Sequence, residues 1–270
     1  HRVSDFHQAG SITTLHRLGP TDLERLEAEL RIHAHARPIA LVLPCLFDEV
    51  RDTALAAIIE CLRGVPYLHQ VVVCVDGAER REEFDEMRAA FEGVPTLDGR
   101  GAVLIWSDGP RLRSIRDRLR AESLDPGERG KGRATWLAYG YVLATAEAHV
   151  VAVHDCDIRD FAKGYYGRVT DRLYGRVTRL FMTPLLRAMK SVLGPLPLLD
   201  YLDSFRYPLA GECAMTTDLV RINRIPSDWG LEVGVLAEVF RNCSAKRICQ
   251  VELVENYEHK HRQLSESDPS

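Results

Sequence analysis

Ile39-Ala40-Leu41-Val42-Leu43-Pro44-Cys45-Leu46-Phe47-Asp48 begins with five apolar residues in a row and ends where polarity returns. An apolar run of that length, without polar alternation, predicts a strand buried on both faces, the habit of a parallel sheet. Three runs of the same kind follow: Val71-Val72-Val73-Cys74-Val75, Ala102-Val103-Leu104-Ile105-Trp106 and Val150-Val151-Ala152-Val153. Helical periodicity fills the intervals at 49–63, 80–91, 111–119 and 131–148. Upstream, Pro20-Thr21-Asp22-Leu23-Glu24 predicts a helix start. Thr21 and Glu24 stand at capping-box spacing, and Leu23, Leu26 and Leu30 share one face. Alternating strands and helices predict an α/β fold: an open, mostly parallel twisted sheet with helices on both faces. Ligands of such sheets bind beyond the carboxyl ends of the strands. Here those ends carry Pro44 to Asp48, Asp76-Gly77, Ser107-Asp108-Gly109 and His154-Asp155-Cys156-Asp157. After Asp157 the rhythm stops. Helical periodicity returns at 176–192, and a Pro/Leu-rich stretch at 194–199 follows.

The 270 residues suffice for one large domain with a full core. A net charge of −4 points away from nucleic acid. No apolar run reaches the roughly 20 residues that cross a bilayer. The seven cysteines, Cys45, Cys61, Cys74, Cys156, Cys213, Cys243 and Cys249, form no CxxC pair. They read as small buried hydrophobes in a reducing cytosol, so a cytoplasmic protein is expected.

Several short motifs lie where chemistry is expected. Asp155-Cys156-Asp157 places two carboxylates at i and i+2 on a fraying strand end, where both can reach one Mg²⁺ directly or through water. The plainer alternative is a solvated loop. Gly130-Lys131-Gly132 opens a helix, whose free N–H groups favour anions. It lacks the full P-loop spacing, and a flexible loop is the alternative. Gly175-Arg176-Val177-Thr178 offers a bidentate guanidinium and a hydroxyl, or simply a surface arginine. Glu212 and Glu232 are lone carboxylates in apolar surroundings, so each needs a partner or a ligand. His259 is a candidate metal ligand in a polar tail.

Taken in order, Pro44-Cys45-Leu46-Phe47-Asp48-Glu49, Asp76, Gly130-Lys131-Gly132, Asp155-Cys156-Asp157, Gly175-Arg176-Val177-Thr178 with Pro184-Leu185-Leu186, Tyr207-Pro208-Leu209-Ala210-Gly211-Glu212, Trp229-Gly230-Leu231-Glu232-Val233-Gly234 and His259 form a recognisable series. The series resembles the retaining GT-A glycosyltransferases that make glucosyl-3-phosphoglycerate or its mannosyl analogue. The resemblance runs from about Ile39 to Leu264. It implies a GT-A (Rossmann-like) core with a C-terminal acceptor-binding elaboration. The expected division is an N-terminal helical extension at 1–35, a nucleotide-sugar-binding core at 36–160, and an acceptor-binding part of the same domain at 161–270.

Carried over residue by residue, the resemblance implies that Pro44, Cys45, Leu46 and Asp48 lie along the nucleoside. Asp48 stands where the family more often has Glu. Asp76 would also face the nucleoside, Lys131 the donor pocket, and Asp155 and Cys156 the nucleotide. Asp157 would hold Mg²⁺ or Mn²⁺ together with His259. Leu209 would offer its main-chain carbonyl near the reacting sugar carbon, and Glu232 would bond the sugar hydroxyls. Gly175, Arg176 and Thr178 would hold the acceptor, with His261 where the family tends to have Asn. The stretch from Asp157 to Tyr166 is shorter than a GT-A domain ordinarily spends there, as if residues were missing near Asp160 and Phe161.

The expected enzyme is a metal-dependent hexosyltransferase. It moves glucose from a nucleotide diphosphate sugar to 3-phosphoglycerate, by a front-face path that retains configuration. A homodimer is expected. The rivals are a related transferase using free glycerate or a lipid phosphate, a covalent mechanism through Glu232, a sugar-1-phosphate nucleotidyltransferase, and an inactive nucleotide-sugar-binding module. Pro44-Cys45-Leu46-Phe47, in place of a Gly-rich loop after the first strand, counts against the nucleotidyltransferase.

Overall fold

A computed structural model describes residues 10–16, 22–124, 126–156, 177–228 and 230–252. The chain opens with β1 (Thr13–Leu15) and α1 (Leu23–Ala36). The core follows as β2 (Ile39–Leu46), α2 (Thr53–Arg63), β3 (Gln70–Asp76), α3 (Arg81–Ala90), β4 (Val103–Trp106), α4 (Pro110–Ala121), α5 (Lys131–Thr145) and β5 (Val150–Val153). Beyond it come α6 (Thr183–Leu193), α7 (Pro197–Asp203), β6 (Cys213–Thr216), α8 (Thr217–Ile222), α9 (Leu231–Asn242) and β7 (Cys249–Val251).

Five strands form the main sheet in the order β4-β3-β2-β5-β6. The first four are parallel, and β6 runs antiparallel to β5. The expected α/β architecture is thus present, with β6 added to it. From β2 the chain builds outward through β3 to β4, then crosses back to lay β5 on the other side of β2. The strand order therefore reverses between β2 and β5. A crevice opens at such a reversal because the flanking connections leave in opposite directions. Pro44–Asp48 and Asp155–Cys156 stand at its two lips.

Both faces of the sheet are covered, which is why its strands read as unbroken apolar runs. Leu41, Leu43, Val71, Val73 and Val75 pack on one side against Leu55, Ile58 and Leu62 of α2 and Phe84 and Met87 of α3. Ala40, Val42, Val72, Val151 and Val153 pack on the other against Ala134, Leu137, Ala138 and Val142 of α5. Each of the larger of these side chains, Val, Leu, Ile, Phe and Met, contributes about 1.5–3 kcal/mol by leaving water. A third cluster joins Ile12, Met182, Leu186, Leu199, Tyr201, Leu202 and Ile248, below the small β1–β7 pair.

Some local expectations are corrected. Asp52 caps α2 by accepting from the Ala54 N–H, so the helix expected over 49–63 breaks into a 3₁₀ turn, Phe47–Arg51, and α2. Asp22 caps α1, accepting from the Arg25 N–H at 3.0 Å, and Thr21 lies outside the described residues. Leu23, Leu26 and Leu30 do share a face, but that face is exposed. Every cysteine is free, yet only Cys45, Cys74 and Cys156 are buried, and Cys61 and Cys249 are exposed.

Candidate active site

The centre of the crevice is an ammonium between two carboxylates. Lys131 is the first residue of α5, Asp155 follows β5, and Glu232 lies in the first turn of α9. Three distant pieces of sequence are thereby brought together. Lys131 Nζ lies 2.7 Å from Asp155 Oδ1, 2.9 Å from Asp155 Oδ2 and 2.8 Å from Glu232 Oε1. The three side chains are half-buried, with 30%, 20% and 21% of their surface exposed. Burial alone would depress the Lys131 pKa. Asp155 and Glu232 outweigh it and hold the ammonium above its usual range. The cluster carries one positive and two negative charges where a helix N-terminus already presents N–H groups.

Gly211 makes this packing possible. A β-carbon there would collide with both the Asp155 carboxylate and the Lys131 ammonium. Gly211→Ala is therefore expected to displace the clamp. It should lower turnover about tenfold or more, while the unfolding midpoint moves little because the group is half-exposed. Steady-state kinetics beside a urea melt would check this.

A buried network holds the loop that delivers Lys131. Asp76 is 1% exposed. Its Oδ2 accepts from the Gly130 N–H at 2.7 Å, and its Oδ1 accepts from Ser107 Oγ at 2.7 Å and from Arg133. Arg133 also reaches Asp108 Oδ1 at 3.2 Å, and Arg129 Nε reaches Asp108 Oδ2 at 3.1 Å. Asp76 was expected to face the nucleoside. In the structure its carboxylate meets these partners, which ties it to Gly130, the residue before Lys131. Sequence reasoning passed over Arg133. Its signal was a charged residue inside an otherwise apolar helix, which demands buried partners.

On the β2 lip, Leu46 and Asp48 are exposed while Pro44 and Cys45 are buried. The Leu46 N–H donates to Glu49 Oε2 at 2.9 Å, fixing the turn. Cys156 is buried beside Cys45. Their mutual hydrogen bond, with burial second, pushes the Cys45 thiol well above its ordinary range. Leu209 is half-buried against the third cluster. Thr178 is 1% exposed, and its hydroxyl meets no partner among the described residues. Glu212, the next residue after Gly211, is buried. Asp157, Gly175, Arg176, His259 and His261 lie outside the described residues, as does the short stretch around Asp160 and Phe161.

Tyr207, Pro208, Ala210, Gly211 and Glu232 line a cavity of about 380 Å³ that runs back under β6 and α9. A wider, open groove of about 800 Å³ follows the β4 edge between Trp106 and Arg118. It holds no residue of the clamp, whereas Glu232 lines the smaller cavity and joins it to the clamp.

No protein-family model matches the chain. Individual relatives do. The chain is 41% identical over 286 positions to a glucosyl-3-phosphoglycerate synthase of Persephonella marina, covering 98% of this chain and 70% of the relative. The chain belongs to the glucosyl-3-phosphoglycerate synthase family of glycosyltransferases. A second family member, from Methanococcoides burtonii, is 37% identical over 285 positions, with 96% of this chain and 68% of the relative covered. Among solved structures, the glucosyl-3-phosphoglycerate synthase of Mycobacterium tuberculosis in complex with Mn²⁺, UDP and phosphoglyceric acid superposes with a TM-score of 0.63. It is 23% identical, and 96% of this chain and 81% of that one are covered. The same enzyme with Mn²⁺, UDP-glucose and phosphoglyceric acid gives 0.64. These structures share the fold of the family core described above. No helix among the described residues is long and apolar enough to cross a membrane.

Proposed function

We propose that the chain transfers glucose from UDP-glucose to 3-phosphoglycerate with retention of configuration, in the cytoplasm. The observation that carries this reading is the Lys131–Asp155–Glu232 clamp at the strand-order reversal of a family member. The M. tuberculosis enzyme, with Mn²⁺, UDP-glucose and phosphoglyceric acid bound, supports the choice of donor and acceptor class.

On this reading the division of labour follows the fold. Pro44, Cys45, Leu46 and Asp48 on the β2 lip lie along the nucleoside, and Asp155 and Cys156 on the β5 lip meet the nucleotide. Lys131 offers a fixed positive charge at the donor. Glu232 accepts from sugar hydroxyls, and Leu209 presents its carbonyl near the reacting carbon. Glu232 is already ion-paired with Lys131, which lowers its reactivity as a covalent nucleophile and favours the front-face path. Gly175, Arg176, Thr178 and His261 hold the acceptor, and the buried hydroxyl of Thr178, without a partner among the described residues, suits that role. Segment 36–160 then binds the nucleotide, and segment 161–270 binds the acceptor and adds Leu209, Glu232 and His259 at the donor.

The donor chemistry fits a hard divalent cation. Both oxygens of Asp155 face Lys131, and the family resemblance assigns the ligand role to Asp157, joined by His259. Held by those two residues, Mg²⁺ or Mn²⁺ would supply positive charge to a diphosphate leaving group. The proton NMR spectrum of the product tests the stereochemistry. An α-configured product from α-linked UDP-glucose is expected, and a β-anomer would overturn retention. Chelation by EDTA is expected to abolish turnover, restored by Mn²⁺ or Mg²⁺.

A homodimer is part of this reading. Phe181, Leu185 and Val192, spaced along one side of α6 and the turn before it, are exposed to 61%, 39% and 82%. A second copy covering that stripe would remove it from water. A Phe181→Asp, Val192→Asp double variant is expected to halve the mass measured by light scattering. An unchanged dimer would place the interface elsewhere.

A further inference from the structure

Cys45, Glu49 and Cys156 form a sulfur and carboxylate donor set on the two lips of the crevice, apart from the contacts that Cys45 and Cys156 offer the nucleotide. Strands β2 and β5 pair in parallel with Val42 opposite Val153. Three residues further along each strand, Cys45 faces Cys156. Both thiols are 2% exposed and enter the core cluster on the α2 and α3 side. Glu49 swings over them from the 3₁₀ turn, its carboxylate steadied by the Leu46 N–H. The two sulfurs and a carboxylate oxygen all lie within 4.8 Å of one another.

We propose that these three side chains bind one thiophilic divalent cation of the Zn²⁺ class, through ligands other than the two assigned to the hard cation. Two sulfurs and one carboxylate are a Zn²⁺ donor set, whereas Mg²⁺ takes oxygen ligands. Zinc–sulfur bonds of about 2.3 Å and zinc–oxygen bonds of about 2.0–2.2 Å place tetrahedral donors roughly 3.5–4 Å apart, which is compatible with atoms that already lie within 4.8 Å of one another. Both thiols lose their protons to solvent as the two metal–sulfur bonds form. A carboxylate has lone pairs enough to keep the Leu46 N–H while binding metal. Three protein donors leave one position for water. The half-exposed Glu49 side is the way in. A cation there would pin the β2 lip to the β5 lip across the strand-order reversal and so raise the melting temperature. The inference does not depend on which sugar or acceptor the enzyme uses.

The test uses reduced, metal-free chain in which the exposed Cys61 and Cys249 are replaced by Ser. It is titrated with Co²⁺ and then Zn²⁺. One equivalent of Co²⁺ is expected to give sulfur-to-metal charge-transfer absorption with the visible bands of a four-coordinate ion, displaced by one equivalent of Zn²⁺. Cys45→Ala and Cys156→Ala should each remove at least half of the charge-transfer intensity. Glu49→Gln, on an exposed turn that keeps its contact to Leu46, should leave the sulfur band and weaken Zn²⁺ by about tenfold or more. The Glu49 variant serves should either alanine variant fail to fold. The proposal is overturned by a charge-transfer band that survives both cysteine substitutions, by Zn²⁺ affinity indifferent to Glu49→Gln, or by the absence of any sulfur band with excess Co²⁺.

Discussion

Lys131→Met is expected to lower kcat for hexosyl transfer by about 10²- to 10³-fold, the loss typical of removing one preorganised charge from a reaction centre. The ammonium has two tasks here. It neutralises Asp155 and Glu232, which otherwise repel each other across the crevice, and it presents positive charge where the leaving group separates. Methionine keeps the length of the side chain and removes both. Because the partners are half-exposed, solvent screens much of the pair energy, and the stability loss should be modest. A fall in kcat/KM with an unchanged urea midpoint checks the claim. Equal losses in both would reduce Lys131 to a structural role. The pH dependence follows from the same geometry. The folded-state pKa of Lys131 is raised above the unfolded value of about 10.4, so its stabilising contribution is complete below about pH 10 and is lost as pH climbs through the folded value. Between about pH 6 and 9 no limb of the rate profile should belong to Lys131.

Asp76→Ala is expected to destabilise the fold by about 3–5 kcal/mol, the cost of breaking a buried ion pair by removing one partner. Arg133, whose side chain is 2% exposed, would keep Asp108 and a long contact to Ser107 Oγ at 3.4 Å, and could not recover water. The Gly130 N–H and the Ser107 hydroxyl would lose their acceptor as well. The urea midpoint should fall with an unchanged slope, since the exposed area on unfolding is the same. Asp76→Asn should cost less in stability, because the amide oxygen can still accept from Gly130. Its remaining activity should sit between wild type and Asp76→Ala. If Asp76→Ala folds as well as wild type but loses UDP binding, the carboxylate contacts nucleoside after all, and the anchoring role fails.

The parts of the fold that were legible in the sequence are those whose physics is local and repeated. Strands β2, β3, β4 and β5 are buried on both faces, so each reads as an apolar run with no ambiguity of face. Strand β6 was not read. It is the edge strand beyond β5, four residues long, and only Met215 in it is buried. Strands β1 and β7, three residues each, stabilise one another and leave no pattern in either segment alone. The helix over 197–203 was hidden by its prolines, although Pro197 stands at the start of α7, where a missing N–H does no harm. At the site, Lys131, Asp155 and Glu232 were each weak signals, and their order along the chain carried them through the family resemblance. Their meeting at one point required the crossover from β4 to β5, which no local pattern encodes. Asp76 shows the reverse. A carboxylate at a strand end looks the same in sequence whether or not a buried arginine meets it, and Arg133 comes to Asp76 only through the fold.

The central claim is a reaction. The chain is incubated with 3-phosphoglycerate, Mg²⁺ or Mn²⁺, and UDP-glucose, GDP-glucose or GDP-mannose in turn, and the acceptor pool is read by mass spectrometry. The account predicts phosphoglycerate plus one hexose with UDP-glucose, dependent on metal and lost in Asp157→Ala and Arg176→Ala. No hexosyl-phosphoglycerate from any donor, with wild-type protein that is folded and metal-loaded, would contradict it.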